Sequence, residues 1–349
     1  MSNSIDIFRF HRDVMDRYQS FSKSFLDIDD PQIEEALQDE GRLKTMWPDP
    51  LIQFNPSYEQ GASAESLVSE GVLTQNMASV FKNFSLHRHQ EEALRLGTAG
   101  KGFVVTSGTG SGKSLTFLGT IFNEVLKSPG PGVVGLVVYP MNALINSQSG
   151  EIRKHAERYK ASCGREFPVT FGQFTGQENE DRRDEMRKDP PHILLTNYMM
   201  LELMLTRSRD MTIRDAIFTN LKYIAFDELH TFRGRQGADV AMLIRRIKAE
   251  CRNDIVCIGT SATMAGGATA LERKTKVAEV ATAFFGSPFT ADQVIEESLR
   301  AISSGFSDPS TEELVKAVTR PLVAETSEEL IATTLFRWLE RTVALKFDG

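Results

Sequence analysis

The residues best suited to chemistry form a glycine-rich segment between an apolar run and a helical pattern. The segment Thr106–Ser114 reads TSGTGSGKS and follows the apolar run Gly102–Val105. Glycines let the backbone curl so that several N–H groups point at one centre, and the start of the next helix adds partial positive charge. Phosphate is the group that such a cradle binds. The segment therefore predicts a nucleoside triphosphate site.

The polar residues of this loop have predicted roles. Lys113 is expected to reach the β- and γ-phosphates as a point charge, and the Ser114 hydroxyl is expected to take one coordination place on Mg²⁺. The expected cofactors are thus ATP and Mg²⁺. The nucleotide-binding residues predicted in the loop are Thr109, Gly110, Ser111, Gly112, Lys113 and Ser114.

A pair of carboxylates follows a second apolar run, Tyr223–Phe226, in the sequence Asp227-Glu228-Leu229-His230. Catalytic groups gather at the carboxyl ends of parallel strands that are buried on both faces. Asp227 is expected to hold Mg²⁺ through its water shell, and Glu228 to orient and deprotonate the water that attacks the γ-phosphate. An acidic pair after a strand is also compatible with a helix N-cap. Its combination with the loop at Lys113 favours catalysis.

A third strand ending, Gly259–Thr263, completes a set of motifs that resembles superfamily 2 helicases of the DExH type. TSGTGSGKS corresponds to motif I of that family, DELH to motif II and Ser-Ala-Thr to motif III. Leu86–Gln90 (LHRHQ) resembles the Q motif, Tyr139–Gln148 (YPMNALINSQ) motif Ia and Leu194–Tyr198 (LLTNY) motif Ib. The motifs occur in the family's order, which makes the resemblance specific.

The resemblance implies roles for further residues. Gln90 would read the adenine edge and so select ATP, while Ser261, Thr263 and His230 would couple γ-phosphate occupancy to movement. Nucleic acid, DNA more than RNA, would be the partner, bound through its phosphates without sequence readout. The residues that the resemblance implies for nucleic-acid contact are Asn142, Ser147, Thr196 and Asn197. Arg233 is a further candidate because it follows the catalytic pair in a glycine-flanked turn and could link the ATP site to the nucleic-acid groove, although a solvated surface arginine is the open alternative.

The segment after motif II, Thr231–Gly237 (TFRGRQG), indicates which group of these helicases the chain resembles. It is similar to the same segment in large bacterial helicases that carry a cysteine-rich C-terminal domain. Helicases of phage-defence islands such as the DISARM and Druantia systems belong to that group. The resemblance therefore implies a role in antiviral defence.

The composition of the chain limits the class of protein and the partners that we expect. The 349 residues are 41% hydrophobic and 25% charged, which is ordinary for a globular protein with room for two domains. A net charge of −7 argues against a basic coat that binds nucleic acid but not against a local groove. We find no membrane-spanning run and no secretion signal, so we expect no membrane partner and a cytoplasmic location. The 3 cysteines lack metal-ligand spacing, so Mg²⁺ is the metal that we expect.

The elements that must position these residues alternate along the chain. From Phe84 to Phe285, apolar strands alternate with helical patterns, which predicts an α/β fold with a parallel sheet and helices on both faces, as in RecA-like P-loop NTPases. Residues 81–290 are the predicted ATP-binding lobe, 1–80 an accessory region and 291–349 a helical connector. The predicted strands are Phe103–Thr106, Val133–Tyr139, Val169–Phe174, Ile193–Thr196, Tyr223–Phe226 and Ile255–Gly259; predicted helices near the C-terminus are Leu271–Phe285, Glu296–Ser303 and Glu328–Val343.

A helicase of this type binds ATP between two lobes, and its second lobe supplies an arginine finger. Too few residues follow Thr263 for another lobe of about 150 residues. We expect the motor lobe of an ATP-dependent helicase or translocase whose second lobe lies in a longer chain or in a partner protein. The alternative is an ATP- and nucleic-acid-binding scaffold that does not turn over without a partner lobe.

Overall fold

The computed structural model describes residues 7–24, 32, 35, 57–108, 110–262, 269–303, 309–319 and 326–345. By its contacts the chain divides into two units, residues 1–54 and 55–349. The described part of the first unit contains the helix α1, Ile7–Lys23. The predicted site residues that the structure describes all lie in the second unit.

The second unit alternates strands and helices. Its strands are β1 Gln60–Ser63, β2 Ser85–His87, β3 Phe103–Thr106, β4 Gly135–Tyr139, β5 Phe171–Gln173, β6 Ile193–Asn197, β7 Tyr223–Phe226, β8 Val256–Ser261 and β9 Val294–Glu296. Its α-helices are α2 Ala64–Ser69, α3 Gln75–Val80, α4 Arg88–Thr98, α5 Lys113–Lys127, α6 Asn142–Cys163, α7 Glu180–Lys188, α8 Tyr198–Thr206, α9 Met211–Asn220, α10 Gly234–Glu250, α11 Ala270–Phe285, α12 Thr311–Thr319, α13 Ser327–Ala332 and α14 Thr334–Leu339. Short 3₁₀ turns cover Ser208–Asp210, Leu229–Thr231 and Ala291–Gln293, and a π-helical turn covers Glu340–Ala344.

A seven-stranded sheet forms the centre of the second unit, in the order β5-β6-β4-β7-β8-β3-β9. Neighbouring strands are parallel, with Thr106 of β3 opposite Ser261 of β8 and Phe226 of β7 opposite Gly259 of β8. Strands β1 and β2 form a separate antiparallel pair. The carboxyl ends of β3, β8 and β7 therefore lie side by side.

The strands of the parallel sheet are apolar on both faces because helices cover both sides of the sheet. Residues of β3, β4 and β7 are buried along their whole length, as expected of strands covered by helices on each side. Successive side chains alternate between two core clusters: Phe103 and Val105 pack in one, and Val104 packs in the other. Leu67 and Met77, from the short helices α2 and α3, extend the first cluster.

The predicted α/β fold is confirmed, and so are the predicted strands of the sheet and the helix at α11. The helix predicted over Glu296–Ser303 is wrong: the β-branched residues Val294 and Ile295 are buried in the edge strand β9, and Leu299 forms an antiparallel bridge with Tyr58. Helical structure over Glu328–Val343 is confirmed, with a break at Thr333. The domain limits at residues 80 and 290 stay a prediction.

Within the described ranges, none of the helices combines the length and the hydropathy needed to cross a membrane.

Candidate active site

The phosphate-loop candidate connects the end of β3 to α5, as the sequence predicts. Gly110 and Gly112 have φ values of 81° and 75°, in the left-handed region that favours glycine. Gly112 is also the residue before α5, and a Cβ there would collide with Nε2 of Gln90. Ser114 lies partly exposed in the first turn of α5. Thr109 lies outside the described residues.

The cation of the loop, Lys113, is 8% exposed and points back across the strand ends. Its Nζ donates a hydrogen bond of 2.9 Å to the carbonyl oxygen of Ser107 and lies 3.8 Å from Oε1 of Glu228. The Ser107 and Ser111 hydroxyls form a hydrogen bond of 2.6 Å. Ser107 was not predicted as a site residue. It stands where the pattern G-x-x-x-x-G-K-S, counted back from Lys113, has its first glycine, and that position is the signal that could have identified it.

The carboxylate pair lies at the end of β7, beside the loop. Asp227 is 6% exposed and accepts a short hydrogen bond from the Thr260 hydroxyl. Burial raises the pKa of the Asp227 carboxyl, and the hydrogen bond from Thr260 opposes this shift. Thr260 also accepts the backbone N–H of Glu228 at 3.4 Å. It is a positioning residue that the sequence analysis missed.

Glu228 has an unusual backbone. Its φ of 54° puts a non-glycine residue in the left-handed region, a strain of about 1–3 kcal/mol that clusters at functional sites. Its Oε1 is the atom that lies near Lys113, and its Oε2 lies 3.2 Å from Nδ1 of His230. The same His230 nitrogen lies 3.1 Å from the Ser261 hydroxyl. Lys113, Glu228, His230 and Ser261 therefore form a path of contacts that joins the ends of β3, β7 and β8. Thr263, the other predicted coupling residue, lies outside the described residues.

Gln90 is buried at the start of α4, against the phosphate loop. Its Oε1 accepts the backbone N–H of His87 at 2.9 Å, and its Nε2 donates to the carbonyl oxygen of Gly112 at 3.1 Å. Both ends of the amide thus bind protein groups here, and recognition of adenine by Gln90 stays a prediction. The neighbouring His89 was missed, although it lies within the same LHRHQ motif.

His89 anchors the loop as a neutral ring. It is 1% exposed, and its Nε2 lies 3.0 Å from the carbonyl oxygen of Ser111. Burial lowers the pKa of His89 to about 4, and the charge of His87 makes a smaller contribution in the same direction. The two imidazole rings are stacked, with their centroids 5.6 Å apart. At neutral pH the ring is therefore uncharged, and its single proton is on Nε2, because a carbonyl oxygen can only accept.

The predicted nucleic-acid residues are placed differently from one another. Asn142 begins α6 and Asn197 caps α8, and the Asn197 amide donates to Oδ1 of Asn142 at 2.8 Å. Ser147 and Arg233 are exposed, and Nε of Arg233 donates to the carbonyl oxygen of His230 at 2.7 Å. Thr196 is fully buried, and its hydroxyl donates to the carbonyl oxygen of Phe174 at 2.7 Å. Contact of any of these residues with nucleic acid stays a prediction.

Comparison with known proteins gives a family match. The model of the DEAD/DEAH box helicase family matches residues 87–271, just over half of the chain. Druantia protein DruE from Escherichia coli strain UMEA 4076-1 is 28% identical, over 62% of this chain and 18% of its own length. The uncharacterized ATP-dependent helicase YprA of Bacillus subtilis is 32% identical, over 52% of this chain and 23% of its own length. The chain thus spans about a fifth of the length of these curated relatives.

Solved structures agree on the fold. The DUF1998 helicase MrfA bound to DNA and AMPPNP superposes with a TM-score of 0.54 and 23% identity, covering 74% of this chain and 33% of MrfA. The Mycobacterium smegmatis helicase Lhr bound to ssDNA and AMP-PNP superposes with a TM-score of 0.55 and 24% identity, covering 65% of this chain and 28% of Lhr. At these identities the likeness shows the fold alone.

Proposed function

Because this chain belongs to the DEAD/DEAH box helicase family, we propose that it is the ATP-binding motor lobe of a helicase or translocase, which hydrolyses ATP to move on nucleic acid. The observation that carries the proposal is the path of contacts from Lys113 through Glu228 and His230 to Ser261. It joins a phosphate-binding cation, a carboxylate base and a strand end that can respond to both. A nucleotide-binding fold without turnover has no need of the base.

Lys113 and Glu228 carry the chemistry in this proposal. Lys113 exchanges its contact with Ser107 for the β- and γ-phosphates, where its charge stabilises the transferring group. Glu228, oriented by its left-handed backbone and by the Lys113 cation, accepts the proton of the attacking water. The neighbouring His230 links the base to Ser261, so loss of the γ-phosphate changes the contacts of the β8 end.

The donor set suits Mg²⁺, which prefers oxygen ligands. The buried Asp227 carboxylate, held by Thr260, and the Ser114 hydroxyl lie at the same edge of the sheet. We assign both to the metal, Ser114 directly and Asp227 through water. When bound, Mg²⁺ would neutralise charge on the β- and γ-phosphates.

Two observations support nucleic acid as the partner: the polar residues of the resembled motifs, and the DNA bound to structurally similar helicases. Asn142, Ser147, Asn197 and Arg233 would contact phosphates, which positions a strand without reading its sequence. DNA is favoured because MrfA and Lhr are described as bound to DNA and ssDNA. Similarity to DruE motivates a role in antiviral defence. A second RecA-like lobe, in a longer chain or in a partner protein, would supply the arginine finger.

Nucleotide binding and hydrolysis test the proposal together. ATP binding and phosphate release are measured with and without single-stranded DNA for the wild type, Lys113→Ala and Glu228→Gln. Lys127→Ala, at the exposed end of the same helix α5, is the matched control. We expect Lys113→Ala to abolish ATP binding, and Glu228→Gln to retain binding while hydrolysis falls at least 100-fold, the range for loss of a general base.

Two outcomes separate this function from its rival. Unchanged turnover in Glu228→Gln would contradict the assigned base. Tight ATP binding by the wild type with no turnover, even when a helicase second lobe is supplied, would favour the scaffold. Loss of binding in the Lys127→Ala control would show that the assay does not report on the phosphate loop.

A further inference from the structure

A carboxylate lies against the phosphate loop from outside the helicase motifs. Glu297 directly follows β9, and its Oε2 accepts the backbone N–H of Gly108 at 2.8 Å. Gly108 belongs to the loop whose N–H groups would surround the phosphates, and it lies 189 positions away in sequence. Glu297 therefore places a negative charge against a loop whose predicted role is to bind anions.

The carboxylate of Glu297 forms no ion pair with any of the described residues, whereas Oε1 of the preceding Glu296 lies 3.6 Å from Nε of Arg273. Tyr58 is the other neighbour at this side of the loop. Burial raises the pKa of the Tyr58 hydroxyl, and the charge of Glu297 raises it further, against a hydrogen bond with Ser111. The carboxylate of Glu297 and the hydroxyl of Tyr58 both lie next to Gly108, within 4.0 Å of where a Cβ on that residue would stand.

The backbone around Glu297 is held in place. The N–H of Glu59 donates to the carbonyl oxygen of Ser298 at 2.7 Å, and the N–H of Arg300 donates to the carbonyl oxygen of Ser57 at 2.7 Å. Tyr58 and Leu299 form the antiparallel bridge between these bonds. Because the backbone is paired on this side and β9 is paired with β3 on the other, rotation of the Glu297 side chain can release the carboxylate from the loop without breaking a backbone pair.

We propose that Glu297 sets the affinity of this site for nucleotide, because its carboxylate competes with the nucleotide's phosphates for the loop. The inference rests on the proposed function, since it requires that a nucleoside triphosphate bind at Gly108–Ser114. Phosphate oxygens displace the carboxylate from Gly108, and the remaining like-charge repulsion lowers the affinity for every phosphorylated form. Glu297 is thus a determinant of binding and takes no part in proton transfer.

Substitution of Glu297 separates charge from structure. Glu297→Gln keeps an acceptor for the Gly108 N–H without the charge, and Glu297→Ala removes both. Glu296→Gln removes the same charge one residue earlier and is the matched control. Kd for a fluorescent ATP analogue is measured by titration at low salt and at 0.5 M NaCl. We expect Kd to fall about tenfold in both Glu297 variants at low salt, and the difference to shrink at high salt.

The outcomes are distinct from those that test the function. Wild-type affinity, or weaker binding, in Glu297→Gln would overturn the inference while leaving ATP binding established. An equal gain in Glu296→Gln would also overturn it, because net charge alone would then explain the effect. If the folded wild type binds no nucleotide at any concentration tested, the proposed function itself fails, and the inference fails with it.

Discussion

Removal of the Thr260 hydroxyl tests the geometry of the carboxylate pair. Thr260→Val keeps the shape of the side chain but deletes the hydrogen bond to Asp227 and the acceptor for the Glu228 N–H. A hydrogen bond to a charged group is worth about 1.5–3 kcal/mol, and the 3.4 Å contact adds little. We therefore expect the free energy of unfolding to fall by about 2 kcal/mol at pH 7.5, measured by urea denaturation.

The pH dependence makes this prediction sharper. Burial raises the pKa of Asp227, and Thr260 opposes the shift, so the variant raises this pKa further. An acid whose pKa is higher in the folded state than in the unfolded state costs stability above its folded pKa, and the cost disappears below its unfolded pKa. The loss in Thr260→Val should therefore be largest at neutral pH and shrink on acidification.

A buried threonine with a neutral partner provides the control. The Thr120 hydroxyl donates to the carbonyl oxygen of Thr116 at 2.7 Å, so Thr120→Val should lose about 1 kcal/mol independently of pH. Denaturation is measured at pH 7.5 and at the most acidic pH at which the wild type stays folded. The same loss at both pH values in Thr260→Val would refute the argument that the hydroxyl acts on an ionised Asp227.

Two further predictions concern groups away from the carboxylate pair. His89 has a pKa of about 4 in the folded protein, below its value near 6.5 when unfolded, so stability should fall as the pH drops between these values. His89→Gln should flatten the dependence of unfolding free energy on pH by about 1 kcal/mol per pH unit between pH 6.5 and 5, and parallel curves would contradict this. Nε of Arg187 lies 2.7 Å from Oδ1 of the fully buried Asp210. Arg187→Ala should therefore lower the free energy of unfolding by about 3–5 kcal/mol, because it leaves the buried carboxylate without its partner. Arg182→Ala is the control, because it breaks a 3.7 Å ion pair made by an exposed arginine, and it should lower the free energy of unfolding by under about 1 kcal/mol in the same denaturation assay. Equal losses of stability in the Arg187 and Arg182 variants would rule out the buried-charge explanation.

The central sheet and the phosphate loop could be predicted because their signals are local. Strands covered on both faces are continuous apolar runs, and Gly110 and Gly112 mark left-handed positions within a short motif. Contact between Glu228, His230 and Ser261 follows once β7 and β8 are neighbours. The register of Phe226 opposite Gly259 shows that they are, whereas the order of motifs along the chain does not set the order of strands in the sheet.

The missed residues depend on contacts between distant parts of the chain. Thr260 meets Asp227 because the residues that follow two paired positions also lie side by side, which requires the register of β7 and β8. Strand β9 is only three residues long and leads into acidic residues, so its pattern resembles a helix. Without β9 in the sheet, nothing in the sequence brings Glu297 to Gly108.

The backbone pairing of Ser57–Glu59 with Ser298–Arg300 has a topological consequence. One segment precedes the motifs and the other follows them, yet they lie side by side next to the phosphate loop. Chain segments that enter and leave a compact unit at one point allow that unit to be inserted into another protein or circularly permuted. A short linker between the two segments, with new termini at the exposed turn around Gly164, would keep every strand of the sheet intact. The part of the unit from Ser57 to Arg300, which contains every strand of the sheet, thus has its two ends side by side near the phosphate loop.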